Sequence, residues 1–514
     1  MTTHVESCII IRPGLHSINP SRVHVLHIYM CACVCVRERE RHKTSYLFCI
    51  FAFVWHSSCL VSELLPQAME PKQQKMLEVR VTRELRVKAS GDLPEFQTLF
   101  LSNLDLLSGR FPVTYFYLYP KQPVLSFGSI IESLRKSLSE TLTYFYPFAG
   151  QIIHNKASQE PVIICNNNGA LLVQAQAEYE LQDIDFYNID LVLQAKLVQV
   201  NPDFPLQVQV TGFTCGGVSV AFTFDHALGD ASSFGKFLKS WSEISRKQPI
   251  SCMPDHRRGL RPRSPPTYHP LLDKSFIKCT VEEIKSIPVS KKLIKRLYHV
   301  DVSSIKALQA RACANGEIRT KIEAFSAYVW KKMVDCIEKS HTTCKMGWLI
   351  DGRGRLRAAT TNYIGNVLSV AVGEASIQQL KEDSVSDIAD IVHKAITEAT
   401  NETHFADLID WVECHRPGLM LSRVVLGQGG PALVLSSGRR FPVAELDFGF
   451  GAPLLGTVCS TVKNIGVCYL NQRPSAWSNG SWTISAIVWP ELAAALESDT
   501  VFQPMSAKHL QLHT

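Results

Sequence analysis

Residues 204–233 read FPLQVQVTGFTCGGVSVAFTFDHALGDASS, and the reading of this stretch decides the fold. Leu206, Val208 and Val210 alternate with polar neighbours, the period of a strand with one buried face. Cys215-Gly216-Gly217 predicts a turn, and Val218, Val220, Phe222 and Phe224 alternate again. The pattern is a β-hairpin that runs straight into His226. Beyond Ala227-Leu228-Gly229-Asp230, residues Phe234, Phe237, Leu238, Trp241 and Ile244 recur at helical spacing, with Ser232 or Ser233 as the expected cap. His226 is thus expected at the rigid end of a strand, where a fold can hold a side chain still.

Several chemistries are open to His226 and Asp230. A lone histidine is most often a satisfied polar residue. A metal pair at i, i+4 needs a helix through both positions, yet the run starts as a strand and contains Gly229. No third His or Cys lies near, so no metal is expected. Asp230 also fits a turn or cap residue.

Words elsewhere in the chain narrow the choice. HALGD at 226–230 and DFGFG at 447–451 lie about 220 residues apart. LSETLTYFYPFAG at 138–150, Asp351-Gly352-Arg353 with Arg355, and Tyr363-Ile364-Gly365-Asn366 appear in order between and before them. Together they resemble the BAHD family of plant acyl-CoA-dependent acyltransferases, with its HxxxD and DFGWG motifs, over roughly residues 76–510. The resemblance implies an α/β (α+β) fold of two similar chloramphenicol-acetyltransferase-like domains, with mixed sheets and a channel between them. It implies His226 as general base, and an Asp230 that turns away from the site to pair with Arg353. Asp447, Gly449 and Gly451 are then structural. Phe450 and Arg440 are the expected substrate-binding residues: Phe450 stands where the family has Trp, so a ring N–H donor is absent there, and Arg440 matches a position that holds an acidic acceptor's carboxylate in some hydroxycinnamoyl transferases. The resemblance implies acyl-CoA as co-substrate, no permanently bound cofactor, and a small-molecule alcohol as acceptor.

The composition fits. The 514 residues are 46% hydrophobic and 19% charged, enough for two or three domains of a soluble globular protein. The formal charge is +6, with 53 basic and 47 acidic residues and no basic run interleaved with aromatics, so no nucleic-acid face is expected. Residues 1–68 differ from the rest: CACVCV at 31–36 and RERER at 37–41 look like translated dinucleotide repeats, and six of the 16 cysteines fall here. This segment is expected to be a non-native or disordered extension. The alternative is a targeting segment, but the apolar run at 46–55 is too short to span a bilayer and too far from the terminus for a signal peptide. The remaining cysteines form no CxxC pairs, which suits a reducing cytoplasm. A monomer is expected.

Along the chain, 113–119 predicts a strand, and 130–142 a helix that stops before Pro147. Pro249, Pro254, Pro262, Pro265, Pro266 and Pro270, with Arg257, Arg258, Arg261 and Arg263, predict a crossover loop without regular structure between 245 and 290. It divides the chain into domains at 69–245 and 291–514, joined by 246–290. In the second, 295–302, 345–350 and 482–489 predict strands, 424–426 and 433–435 look extended, and 321–336 predicts an amphipathic helix. Acyl transfer to an alcohol needs a base near neutrality, which histidine supplies, and an activated thioester needs no nucleophilic Ser or Cys. The expected activity is O-acylation of a specialised-metabolite alcohol with an acetyl or hydroxycinnamoyl group, a monolignol such as coniferyl alcohol among the acceptors. N-acylation and a catalytically silent relative working through protein contacts remain the alternatives.

Overall fold

Strands Leu206–Gly212 and Val218–Asp225 pair antiparallel, closed by a turn in which Gly216 takes φ 83° and its N–H donates to Phe213 O. The alternation reaches the core as expected: Val208, Val210, Val220, Phe222 and Phe224 are all buried. The computed structural model describes residues 78–93, 95, 97–286, 292–357, 361–460 and 467–512. The extension expected at 1–68 lies outside them.

The hairpin is the middle of a mixed six-stranded sheet. Its order is Val79–Val87, Ala170–Ala177, Leu206–Gly212, Val218–Asp225, Pro112–Tyr119 and Leu455–Val458. Helices Phe127–Tyr144 and Ala231–Ser245 pack together on it through Leu134, Leu138, Phe237 and Trp241. A second mixed sheet runs Leu368–Ser376, Thr343–Asp351, Ala432–Ser437, Cys468–Pro474, Trp482–Val488, Ile294–Val300 and Gln503–Pro504. Helices Val302–Ala312, Lys321–Val334 and Val385–Ala399 pack on one another beside it. Two mixed sheets with helices, one from each half of the chain, give the α/β class that the sequence implies.

The halves are stitched together rather than merely adjacent. Leu455–Val458 comes from the second half yet pairs with Pro112–Tyr119 of the first sheet. Phe448, from the DFGFG word, lies 5.8 Å from Phe222 and 5.1 Å from Trp241, centroid to centroid. Tyr117 and Tyr119 donate their hydroxyls to Pro442 O and Leu446 O. Residues Gln73–Thr514 accordingly form one compact unit.

Three expectations need correction. The crossover segment has regular structure after all, with helix Leu272–Ser275, strand Phe276–Cys279 and helix Val281–Lys285. Two of its arginines are claimed by carboxylates elsewhere in the chain: Arg263 Nε lies 2.6 Å from Asp410, and the buried Arg258 lies 2.6 Å from Asp105. Residues 424–426 are turns, not strand, since Val425 and Leu426 N–H groups fold back onto Ser422 O. Helix Ala231–Ser245 is capped by Asp230, not by Ser232 or Ser233: Asp230 accepts from Ser233 N at 3.0 Å. An aspartate in extended geometry satisfies the free N–H groups of a first turn as well as serine does. Among the described residues, no helix is long and apolar enough to cross a membrane.

Candidate active site

His226 leaves the end of strand Val218–Asp225 in a single helical turn, His226–Leu228. The turn is held at its start by Asp225, whose carboxylate caps Ala227 N at 2.9 Å and takes two bonds from Arg110. His226 N donates to Phe111 O at 3.0 Å, and the imidazole stacks on the Phe111 ring at 4.6 Å. At the far end Gly229 is obligatory for space, because a Cβ there would sit 2.6 Å from Ser233 Cβ.

The residue is half-buried, and its ring is densely surrounded. Nδ1 is enclosed without a hydrogen-bond partner among the described residues. Burial pushes the imidazole pKa below its ordinary value, and the charges of Asp230, Asp225 and Asp105 offset only part of that. His226 is therefore neutral near pH 7, the state that can accept a proton.

Asp230 makes no dyad with it. One carboxylate oxygen accepts from Arg353 Nη1 at 2.8 Å and Val367 N at 3.0 Å, while the other caps Ser233. Burial alone would raise the Asp230 pKa; the Arg353 guanidinium and these N–H donors hold it below the usual carboxylate value. Arg353 also donates to Asp351, Ser233 Oγ and Gly365 O, and the same pairing raises its own pKa. The ion pair thus ties the cap of one helix to the loop of the second half at 365–367.

A second buried network was not anticipated from the sequence. Asn366 Nδ2 donates to His226 O at 2.9 Å and also to Asp105 Oδ1. Asp105 is paired with Arg258 at 2.6 Å, and Arg258 Nη2 donates to Leu228 O at 3.0 Å. The 226–228 turn is thereby gripped by its carbonyls from below. Signals existed for two of the three: Asn366 ends the YIGN word, and Ser102-x-x-Asp105 is a capping box in sequence and in structure. Arg258 was hidden among the linker arginines.

The second motif is a turn. Asp447 Oδ1 accepts from Gly449 N and Gly451 N, both at 2.8 Å, with φ of 91° and 93° at the two glycines. Phe450 is 2% exposed and packs edge-on to Tyr119, so its ring is part of the core. Arg440 is exposed on the turn after Ala432–Ser437. A cavity of about 550 Å³, lined by residues that include Ile277, Glu283, Leu426 and Pro431, lies apart from His226. The chemistry, not the cavity size, identifies the site.

A family model described as "Transferase family" matches residues 77–500. The chain belongs to this family, the BAHD acyltransferases. Anthranilate N-benzoyltransferase protein 1 of Dianthus caryophyllus is 28% identical over 80% of this chain and 96% of that protein. Shikimate O-hydroxycinnamoyltransferase of Nicotiana tabacum is 26% identical over 74% of this chain and 89% of its own. The crystal structure of vinorine synthase superposes with a TM-score of 0.65 at 20% identity, covering 83% of this chain and 99% of that one, and so shares its fold. This BAHD chain is an acyltransferase with acyl-CoA as its co-substrate.

Proposed function

We propose that the protein is an acyl-CoA-dependent O-acyltransferase in which His226 is the general base. The acceptor hydroxyl approaches the open side of the imidazole, and Nε2 takes its proton as the oxygen attacks the thioester carbonyl carbon. The tetrahedral intermediate collapses, the C–S bond breaks, and the imidazolium returns the proton to the departing thiolate of coenzyme A. The observation that carries this reading is a half-buried imidazole, held neutral by burial, whose backbone is fixed at both ends, which is what a positioned base requires. Asp230 and Arg353 position the loop and stay out of proton transfer, and Asp447, Gly449 and Gly451 shape a distant turn.

In this reading the domains at 69–245 and 291–514, joined by 246–290, enclose a channel that reaches His226. The enzyme is a cytoplasmic monomer, and its acceptor is a plant specialised-metabolite alcohol. Acetyl and hydroxycinnamoyl groups are the acyl classes to test, and coniferyl alcohol is the first monolignol acceptor to test. Amide formation is the second reading, favoured by the relative named for N-benzoylation of anthranilate. A panel of acyl-CoA donors and acceptors, followed by thiol release and product mass, separates the cases. Esters are expected; amides alone would move the protein to the second reading. No turnover with any pair would leave a silent relative.

A further inference from the structure

Around strand Cys468–Pro474 the second sheet has a polar patch on a face that is apolar further along, at Val434 and Tyr469. On the opposite face, Leu470, Ile484 and Ala486 belong to the apolar core. In the patch, the ladder sets Ser436 beside Asn471, Asn471 beside Ser485, and Arg473 beside Thr483. Asn471, Arg473, Thr483 and Ser485 are all buried. A buried polar face is costly unless something polar meets it.

Arg473 is the sharpest case. It is 2% exposed, more enclosed than Arg258 and Arg319, which each hold a carboxylate at 2.6 Å. Arg473 takes part in no ion pair among the described residues, and the undescribed segments beyond residue 96 contain no Asp or Glu. Its Nη1 donates to Gln472 O at 2.7 Å and its Nη2 to Tyr115 Oη at 3.2 Å, while Nε is buried with no partner among the described residues. Of five donors, two are used. The guanidinium lies 5.6 Å from the Tyr115 ring and 5.3 Å from that of Phe441, two rings stacked on each other at 4.3 Å. It fills the space over Gly438, where a Cβ would fall 2.5 Å from Cζ.

Tyr115, whose hydroxyl accepts from Arg473, links this charge to the strand that leads back to the base. Tyr115 stands four residues after Phe111, whose ring stacks on His226, and that is roughly 13 Å along an extended chain. Tyr115 also stacks on Phe234, on the helix that Asp230 caps.

We propose that Arg473 anchors the carboxylate of the acceptor, so that the preferred acceptor is an acid whose nucleophilic oxygen or nitrogen reaches His226 while its carboxylate meets the guanidinium. Arginine presents paired N–H groups that match a carboxylate, and the flanking rings and Thr483 keep water from competing. The anchor is a binding residue and has no part in proton transfer. The inference rests on the acyl-transfer reading and deepens it; Arg440, exposed on the surface turn, is not part of it.

The test uses ω-hydroxy acids of increasing chain length, each beside its methyl ester, with one acyl-CoA donor. The wild type should prefer acid over ester by at least ~10-fold in kcat/KM at the length that spans the two residues. Arg473→Gln should erase the preference by raising the KM of the acid toward that of its methyl ester. Gly438→Ala, which displaces the guanidinium but keeps its charge, should shrink the preference, and it serves if Arg473→Gln does not fold. No acid preference at any length overturns the proposal, as does an equal loss on acid and ester, which would mean a purely structural arginine. If no acceptor releases thiol, the reaction reading fails by itself. Calorimetric binding of the same acids to wild type but not to Arg473→Gln would then still uphold the anchor, and absent binding would overturn it.

Discussion

Asn366 Nδ2 lies 2.9 Å from the backbone carbonyl of His226 and 2.9 Å from Asp105 Oδ1, so one amide joins the proposed base to a buried ion pair. The base is held by its backbone, not by a carboxylate on its ring. Removing the amide should loosen that mount. Asn366→Ala is expected to cost about 1.5–3 kcal/mol of stability, the range for a hydrogen bond to a charged group. It should also lower kcat more than the KM for acyl-CoA; unchanged kcat in a destabilised protein would reduce Asn366 to a purely structural residue.

His226→Ala should fold and still bind acyl-CoA, yet transfer acyl groups at least ~10²-fold more slowly, the low end for a positioned base. No acyl-enzyme should accumulate. Trapping an acyl group on a Ser or Cys by intact-mass measurement, or finding the alanine variant fully active, would sink the mechanism.

The pH profile carries a sign. Only neutral imidazole accepts a proton, and burial sets the His226 pKa below its ordinary value of about 6.5. The transfer rate should rise with pH through a single group below that value and be flat by pH 7. Stability should follow the same direction: as pH falls below the unfolded value, the unfolded chain takes up the proton first, and the folded state loses ground. A midpoint above 6.5 that is absent from His226→Ala would mean the ring is held protonated instead.

Arg353→Ala leaves the buried Asp230 carboxylate without its counter-ion, a loss of about 3–5 kcal/mol, and Asp230→Ala, which leaves Arg353 its second partner Asp351, should cost less. The double variant should cost less than the sum of the two, by thermal or urea denaturation. Because the Asp230 pKa is held down, its contribution is present above the unfolded carboxylate value and is lost as pH falls through the folded one. Strict additivity would mean the two charges do not interact in solution.

Gly449→Ala tests whether the second motif is structural. At φ 91° a Cβ is strained whatever the space around it, so a loss of about 1–2 kcal/mol is expected. Turnover of the protein that remains folded should match the wild type, and a selective fall in kcat would give that turn a catalytic part.

Local pattern was legible wherever it is set by neighbours in the chain. The alternation of 206–224 placed a buried hairpin and fixed where His226 emerges, because strand period depends on backbone geometry alone. The HALGD and DFGFG words carried the family, and the pairing of Asp230 with Arg353 came with it. What the sequence alone could not decide depends on charges far apart in the chain. The arginines of 246–290 read as part of a crossover loop, yet Arg258 is enclosed against Asp105 and Arg263 holds Asp410, since a buried carboxylate on a helix selects its partner by proximity in space. Phe450 reads as a site residue by position and is core by packing. Arg473 shows no signal as one basic residue in a strand near the C-terminus. Only tertiary structure sets it opposite Tyr115, 358 residues away, and encloses its charge without a counter-ion. Period and capping follow from bonds along the chain, whereas the electrostatics of the site follow from which strands the fold lays side by side.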